Sequence, residues 1–300
     1  MYFYKLYGKN LYSDLEIPQL VNIAPFAEEE ADFIFREGYV SEDIKAHEPE
    51  QMISFGDDLS WLINDTLWFT VANGRELVYE LKPGAKVLLV RSFLVGYGQA
   101  MLHLQRGELC IHCSAVSDGK KAYLIAGDSG SGKSTLTSRF LSNGFSLMAD
   151  DCALVKKDVN GEVMVYPAFP YQKLCRDEVV RQGLDMSELI YIDEDRDKFL
   201  VPYKGEFSLQ GKKLGGIFCL KQQHESGELF TQEITGIGKL RYCAYNLFLR
   251  VFLGKQVYNT TLGPKCLEVA ANAPMYIIVR PVGKNTAEEI WNYVKTVLHK

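Results

Sequence analysis

Residues 127–134 read Gly127-Asp128-Ser129-Gly130-Ser131-Gly132-Lys133-Ser134, which is a complete G-x-x-x-x-G-K-[ST] phosphate-binding loop. Glycines let successive backbone N–H groups curl around phosphate oxygens, and the N-terminus of the following helix adds the positive end of its dipole. In this motif the lysine reaches the β- and γ-phosphates and the hydroxyl after it binds Mg²⁺. The sequence therefore predicts that residues 127–135, ending at Thr135, bind a nucleotide and that Ser134 is a metal ligand.

The segments on either side of the loop have the periodicity that the motif requires. An apolar run at residues 122–126 precedes it, and an amphipathic stretch at residues 135–141 follows and ends at Asn143-Gly144, a common helix stop. Strand, loop and helix are the setting in which this motif binds phosphate. A glycine-rich turn that binds nothing is the alternative, and this setting argues against it.

Two aspartates follow one short helix later. Residues 145–149 alternate like a strand and deliver Asp150 and Asp151 at its end. One carboxylate is expected to hold Mg²⁺, directly or through water, and the other to deprotonate an incoming hydroxyl group. Adjacent like charges push their pKa values apart, which suits one metal-bound anion and one base. Which aspartate is the base stays open, and an Asp-Asp turn on a solvated loop is the alternative.

His112 lies in a second strand-like run, residues 110–116, upstream of the loop. Asp118-Gly119 separates this run from the strand before the loop and predicts a hairpin. The hairpin would place His112 near the phosphate loop, where its imidazole could contact the γ-phosphate or orient an aspartate. A histidine satisfied in the core is the alternative.

The run from His112 through the loop to Asp151 resembles the catalytic domain of HPr kinase/phosphorylase, whose phosphate loop belongs to the PEP-carboxykinase-like group. The resemblance implies that ATP and Mg²⁺ are the cofactors. It also implies that Asp150 and Asp151 serve as metal ligand and base toward a serine hydroxyl, with Lys133 and His112 in the catalytic set. The resembling kinases assemble, which implies a homo-oligomer.

The chain departs from that family downstream of Asp151, where the basic, glycine-containing signature of the dephosphorylation reaction is missing. Residues 105–109, 166–174 and 197–202 look more like the HPr-kinase-like proteins found with ribosomally made peptides, including the lasso-peptide kinases. Those proteins phosphorylate a peptide serine. The resemblance thus implies a peptide or small-protein substrate, and it leaves dephosphorylation open.

Further cations would assist phosphoryl transfer, because the reaction spreads negative charge over the equatorial oxygens. The candidates are Lys173, Lys198, Arg241 and Arg250. The resemblance favours Lys173 and Lys198, since the peptide kinases have lysines in similar segments. These segments lie between prolines, and we expect them to be loops that the prolines stiffen. Arg250 is a third candidate for substrate or phosphate contact, and a buried ion pair in an apolar helix is its alternative.

Composition indicates an ordinary soluble enzyme: 300 residues, 47% hydrophobic, with 33 basic and 38 acidic residues for a net charge of −5. The sequence has no run of Lys and Arg residues of the kind that binds nucleic acid. The N-terminus lacks the pattern of a signal peptide. The most apolar window, residues 87–104, is interrupted by polar residues and glycines and predicts a buried helix rather than a membrane span. We therefore expect a cytoplasmic protein without membrane contact.

Seven cysteines, an odd number in a chain without a leader, predict reduced thiols rather than a disulfide framework. Cys110 and Cys113 form a C-x-x-C pair, which resembles half of a metal site. A closed zinc site needs four ligands, and no second pair follows at a suitable spacing. A structural metal is therefore not expected.

The chain divides at Pro83-Gly84 into a β-rich, aromatic region (1–84), a candidate for substrate recognition, and a catalytic domain (85–300). Asn73-Gly74 predicts a hairpin in the first region. In the second, helices are predicted at 85–105, 176–182, 239–253 and 286–298, and strands at 163–166, 214–220, 229–233 and 275–279. The expected fold is α/β with a mixed sheet around a PEP-carboxykinase-like core.

These features predict an ATP- and Mg²⁺-dependent kinase that transfers the γ-phosphoryl group to a hydroxyl, foremost a serine of a peptide or small protein. Three alternatives remain: a kinase acting on a free, serine-like alcohol, a non-catalytic nucleotide-binding subunit of a biosynthetic assembly, and a carboxykinase acting on a keto acid. The chain is short for a carboxykinase and shows no second metal-ligand cluster.

Overall fold

A computed structural model describes residues 1–193, 197–223, 227–253 and 261–299. Three sheets and nine α-helices make up this part of the chain, and strands of both orientations occur in the two larger sheets. The fold class is therefore mixed α/β, as the sequence predicts. The kinship of its core with the PEP-carboxykinase group stays a prediction.

The N-terminal sheet has eight strands in the order β3-β1-β2-β4-β8-β7-β6-β5. Alternate residues of β7, Leu67, Phe69 and Val71, are buried, which explains why this run forms a strand. Asn73 and Gly74 both have positive φ and connect β7 to β8, so the predicted hairpin is confirmed. The strands are β1 Tyr2–Leu6, β2 Lys9–Ser13, β3 Val21–Asn22, β4 Phe33–Glu37, β5 Ile53–Ser54, β6 Leu59–Ile63, β7 Leu67–Ala72 and β8 Glu76–Leu81.

The central sheet carries the phosphate loop. Its order is β12-β10-β11-β18-β14-β13-β9, with β20 paired to β18 and β19 to β20. Strands β11, β18 and β20 are parallel, and the other pairs are antiparallel. The strands are β9 Leu109–Ile111, β10 Cys113–Ser117, β11 Lys121–Gly127, β12 Ser146–Ala149, β13 Ala153–Lys157, β14 Val163–Tyr166, β18 Lys212–Gln223, β19 Phe230–Ile234 and β20 Met275–Pro281.

A third, small antiparallel sheet consists of β15 Tyr171–Cys175, β16 Ile190–Asp193 and β17 Lys198–Pro202, in the order β15-β17-β16. The expectation that Lys173 and Lys198 lie in loops is therefore wrong. Pro170 precedes β15 and Pro202 ends β17, so the prolines bound these strands without interrupting their hydrogen bonds.

The α-helices are α1 Glu42–Lys45, α2 Val87–Phe93, α3 Gln99–Gln105, α4 Lys133–Ser142, α5 Arg176–Arg181, α6 Ile237–Tyr245, α7 Arg250–Leu253, α8 Leu262–Asn272 and α9 Ala287–Leu298. Helix α8 contains Gly263-Pro264, a pair that commonly ends a helix. Both residues lie in its first turn, where proline loses no helical hydrogen bond.

The predicted helix at 239–253 is wrong as one element, since it is split into α6 and α7. Between the two helices the backbone forms hydrogen bonds with β9 and with His112, the residue after it. The His112 N–H donates to the Asn246 carbonyl (2.7 Å), and the Phe248 N–H donates to the Cys110 carbonyl (2.9 Å). Leu249 then adopts a positive φ of 59°. Tertiary hydrogen bonds thus replace the helical ones at the break.

One apolar core joins the N-terminal sheet to the central sheet. It contains Tyr4 and Phe33 from the first sheet, Leu102 from α3, and Leu109 and Leu154 from the second. The predicted division at residues 84 and 85 stays a prediction.

The helix from Val87 to Gln105 is the long apolar helix predicted from the sequence. A π-helical turn, Leu94–Gly98, lies between α2 and α3. By length and composition alone this helix could cross a membrane, yet 56% of its most apolar window is buried within the protein, as in a core helix. The cytoplasmic location stays a prediction.

Gln105 ties the end of α3 to the N-terminal sheet. Its Oε1 accepts from the Gly74 N–H (2.8 Å), and its Nε2 donates to the carbonyls of Gly56 and Val71 (both 3.1 Å). We expect Gln105→Leu to lower the free energy of unfolding by about 2–3 kcal/mol, because the Gly74 N–H loses its side-chain acceptor and the Gly56 and Val71 carbonyls each lose a donor. Urea unfolding measures the change. Gln232→Leu, on the exposed face of β19, is the matched control and should change it by less than about 0.5 kcal/mol.

Candidate functional site

The phosphate loop connects β11 to α4 in the predicted strand, loop, helix order. Gly127, Gly130 and Gly132 have φ values of 142°, 78° and 105°, which only glycine adopts readily. A Cβ atom at Gly127 would lie 2.2 Å from the Leu220 carbonyl oxygen. The close approach of β18 to the loop therefore requires glycine at this position.

Two side chains from other strands of the central sheet donate hydrogen bonds to backbone carbonyls of the phosphate loop. Arg280 donates from Nε to the Ser131 carbonyl (2.9 Å) and from Nη2 to the Gly130 carbonyl (2.7 Å). Gln222 donates to the same Gly130 carbonyl (2.7 Å). Their strands, β20 and β18, run parallel to β11, so their carboxyl ends reach the same edge of the sheet. The sequence gives no local signal for either contact.

Helix α4 is held by the neighbouring helix α5. The buried carboxylate of Glu178 accepts hydrogen bonds from Ser138 (2.9 Å) and Thr135 (3.4 Å) and pairs with Arg181. Burial opposes ionisation of Glu178, but the hydrogen bond from Arg181 lowers its pKa. Sequence reasoning missed Glu178, since its spacing to the loop follows no motif.

Lys133 lies over the mouth of the loop. Its ammonium donates to the carbonyls of Gly127 (2.6 Å) and Asp128 (3.1 Å). Burial lowers the pKa of Lys133, and the charges of Asp150 and Asp151 oppose that shift. The negative charges of both carboxylates therefore stabilise the protonated form of Lys133.

Asp150 follows β12 and points into the protein. Its Oδ1 accepts from the Ser114 hydroxyl (2.6 Å) and its Oδ2 from the Lys173 N–H (2.7 Å). Burial raises the pKa of Asp150 despite these two hydrogen bonds. Asp150 is therefore held in one orientation and favours its neutral form more than an ordinary aspartate does.

Asp151 has a φ of 70°, which turns its side chain out of the strand alternation. Adjacent strand residues normally face opposite sides, and this left-handed residue removes that obstacle to a joint site. Its carboxylate pairs with the Lys173 ammonium (2.8 Å) and lies 3.9 Å from His112 Nδ1. Burial opposes ionisation, but the charges of Lys173 and then of His112 hold the pKa of Asp151 well below its usual range.

His112 occupies the break between β9 and β10, and the predicted hairpin of β10 with β11 is confirmed. Its ring stacks on Phe248, with centroids 5.8 Å apart and 15° between planes. Burial lowers the pKa of His112, although the charge of Asp151 opposes this shift. The structure therefore brings His112 beside the acid pair, and its catalytic role stays a prediction.

The predicted cations differ in where the structure places them. Lys173 bonds to both aspartates, whereas Lys198 lies in the same cavity, and its charge helps to lower the pKa of Asp151. Arg250 is exposed at the start of α7, with its guanidinium 4.7 Å from the centre of the Tyr245 ring, so the alternative of a buried ion pair is wrong. Arg241 is exposed on α6 and does not line the cavity.

Two cavities contact opposite ends of the phosphate loop. The larger, about 1000 Å³, is lined by the first residues of the loop and by Asp151. The smaller, about 200 Å³, is lined by the last residues of the loop and by α4. Gly127, Asp128, Ser129, His112, Lys173, Lys198 and Arg250 line the first, and Gly132, Thr135, Arg139, Arg280, Lys284 and Thr286 line the second.

The donor atoms suit a magnesium nucleotide. Ser134, Asp150 and Asp151 offer hard oxygen ligands, and the buried Ser131 hydroxyl inside the loop has no partner. In the described residues no group of three or more His, Cys, Asp or Glu side chains could hold a metal alone. A metal here would therefore complete its ligands with water or phosphate oxygens.

Comparison with known proteins gives no family. No protein-family model and no curated protein sequence matches the chain. The solved structure of the HPr(Ser) kinase/phosphatase from Coxiella burnetii aligns with 62% of this chain and 88% of that chain, at 14% sequence identity and a TM-score of 0.30. A TM-score of 0.30 does not establish a common fold, so the functional argument depends on the geometry of the site.

The support of the loop can be tested by ATP binding. We expect Arg280→Met to raise the dissociation constant for ATP about 10-fold, because the Ser131 carbonyl loses its Arg280 donor, the Gly130 carbonyl keeps only Gln222, and the N–H groups around the phosphates lose their alignment. Isothermal titration calorimetry measures it. Arg75→Met is the matched control, since Arg75 also donates to two backbone carbonyls, those of Ala31 and Glu28. Equal affinities for wild type and Arg280→Met would contradict the assigned role.

The Lys173–Asp151 pair predicts a pH dependence. The native pKa of Asp151 lies below its unfolded value of about 4, so its ionised form stabilises the fold above that pH, and this contribution is lost as the pH falls through the native pKa. Lys173→Met should raise the Asp151 pKa by about one unit or more and move acid unfolding to higher pH. Carbon-13 NMR of the carboxyl group reports the first effect and circular dichroism the second.

Lys198→Met is the control for this titration. The charge of Lys198 lowers the pKa of Asp151 less than that of Lys173 does, so its removal should produce a smaller rise. If both variants raised the pKa equally, the direct ion pair would not be the cause.

Proposed function

We propose that this protein is an ATP- and Mg²⁺-dependent kinase that transfers the γ-phosphoryl group to the hydroxyl of a serine in a peptide or small protein. The observation that carries the proposal is the position of Asp151. This ionised carboxylate faces the same cavity as the first residues of the phosphate loop. A phosphoryl acceptor in that cavity would have a proton acceptor beside it.

Asp151 is the base in this proposal and Asp150 the supporting acid. Asp151 lines the cavity, whereas Asp150 is held away from it by Ser114 and the Lys173 N–H. A carboxylate with a strongly lowered pKa is a weak base. Negative charge arriving in the cavity would attract the Lys173 ammonium away from Asp151, and the pKa of Asp151 would then rise toward its ordinary value.

Ser134 is the residue that would hold Mg²⁺, and Asp150, whose two carboxylate oxygens already accept hydrogen bonds from Ser114 and the Lys173 N–H, would reach the ion only through water. When bound, the ion supplies positive charge to the β- and γ-phosphates. Lys133 adds a second positive charge at the mouth of the loop, and the loop N–H groups add partial charges. These groups would stabilise the charge that develops during transfer.

The two cavities suggest separate routes for donor and acceptor. The smaller cavity lies at the carboxyl ends of the parallel strands β18 and β20 and beside the first turn of α4, where nucleosides commonly bind in α/β sheets. The buried Thr286 hydroxyl that lines it has no partner. We place the nucleoside there and the acceptor in the larger cavity.

The size and lining of the larger cavity favour a peptide over a small alcohol. Its volume, about 1000 Å³, is at the upper end of ordinary small-molecule sites. Residues 64–66, in the turn between β6 and β7 of the N-terminal sheet, also line it. This placement supports a part for the region 1–84 in substrate recognition.

The proposed base is tested with labelled ATP and serine-containing peptides. Asp151→Asn should reduce phosphoryl transfer about 10²- to 10⁴-fold, because the amide cannot accept the hydroxyl proton, while the ATP dissociation constant stays within about 3-fold. Asp43→Asn, an exposed aspartate of α1, should leave both unchanged. Transfer that survives the combined Asp150→Asn and Asp151→Asn variant would refute the proposed mechanism.

A further inference from the structure

Four rings form a continuous wall along the larger cavity. His112 stacks on Phe248 at 5.8 Å, Phe248 meets Tyr97 at 6.2 Å, and Tyr97 meets Phe93 at 6.1 Å, all between ring centroids. All four residues line the cavity. We call His112, Phe248, Tyr97 and Phe93 the aromatic wall.

The aromatic wall is built on fixed backbone. Phe93 ends α2, and Tyr97 lies in the π-helical turn, a feature that is frequent at functional sites. Phe248 is held by the hydrogen bond from its N–H to the Cys110 carbonyl, 2.9 Å long. Leu94 and Val95 anchor the same turn in the core. The rings therefore offer a preformed surface.

The aromatic wall begins at the proposed base and ends among apolar residues. His112 Nδ1 lies 3.9 Å from the Asp151 carboxylate. Around the rest of the cavity, the lining includes Leu88, Leu89 and Phe252, and 45% of the Phe252 surface is exposed. An apolar surface that continues from a reactive group into a cavity is typical of a substrate subsite.

We propose that the acceptor carries a bulky apolar or aromatic side chain beside its hydroxyl group, and that this side chain binds against Phe93, Tyr97 and Phe248. The inference rests on the proposed function, because it specifies the acceptor of that site. Aromatic rings bury a large area and pack edge-to-face or offset against one another, so such a neighbour gains affinity that glycine cannot provide.

The nucleoside is the competing occupant, since a purine would also stack on these rings. The order of the phosphate contacts argues against it. Thr135 is the last residue of the phosphate loop and follows Ser134, the proposed metal ligand. It lines the smaller cavity and does not line the larger one. A nucleoside that leaves the loop at that end points away from the aromatic wall.

The test compares two blocked pentapeptides with a central serine, one flanked by phenylalanine on both sides and the other by glycine. Their dissociation constants are measured by calorimetry on the full chain, without nucleotide. We expect the phenylalanine peptide to bind about 10- to 100-fold more tightly. Equal binding, or no binding of either peptide, overturns the proposal, and so does competition by adenosine for the phenylalanine peptide.

Two variants locate the preference. Phe93→Ala removes one ring of the aromatic wall. Gly96→Leu places a side chain in the subsite, since Gly96 lines the cavity and a Cβ atom there meets no atom within 4 Å beyond its chain neighbours and its own helix backbone. Each should bring the two dissociation constants within about 3-fold of each other. Phe230→Ala, on exposed β19, is the control and keeps the wild-type preference. A preference for the phenylalanine peptide that survives both Phe93→Ala and Gly96→Leu overturns the proposal.

Phosphoryl transfer from labelled ATP is measured on the same peptides. Preferential binding without transfer to either peptide would refute the kinase function and leave the apolar subsite in place. Transfer to both peptides with equal kcat/KM and equal affinity would support the kinase and refute the subsite. The two inferences therefore fail in different experiments.

Discussion

Two hydrogen bonds from a single residue fix the acid pair on which the rest of the site depends. The Lys173 N–H binds Asp150 and the Lys173 ammonium binds Asp151. The backbone bond comes from strand β15, so its geometry is set by the small sheet rather than by a flexible side chain. Neither carboxylate can move far without disturbing the other, and the position of the small sheet against β12 determines both.

The same arrangement separates the acidities of two neighbouring groups. Burying two adjacent carboxylates is costly unless positive charge accompanies them. Lys173 shares its charge unequally: the ammonium lies on Asp151, while Asp150 receives only the N–H dipole and the Ser114 hydroxyl. The pKa of Asp150 is therefore raised and that of Asp151 lowered. One residue thus gives two like side chains different protonation states, which is what an acid–base pair requires.

The sequence predicts the part of the site that is local in the chain. Strand β11, the loop, α4 and the two aspartates lie within residues 121–151, and period, glycine positions and helix stops identify all of them. The supports come from far away: Arg280 is 150 residues from Gly130, and Glu178 is 43 residues from Thr135. No local pattern encodes such contacts. The break after α6 is likewise imposed by tertiary hydrogen bonds, and the positive φ of Asp151 has no signal in the local sequence.

Under the proposed function, chemistry and recognition belong to different parts of the chain. The loop and Asp151 belong to the central sheet, whereas the aromatic wall takes Phe93 and Tyr97 from the helix that joins the two large sheets. That helix is anchored through its other residues in the common core, so it presents these rings at a constant distance from the acids. Substitution of the rings would change the acceptor without moving the phosphate loop. A site built in this way could keep one reaction while its substrate changes, because Phe93 and Tyr97, which we propose to contact the acceptor, take no part in the transfer itself.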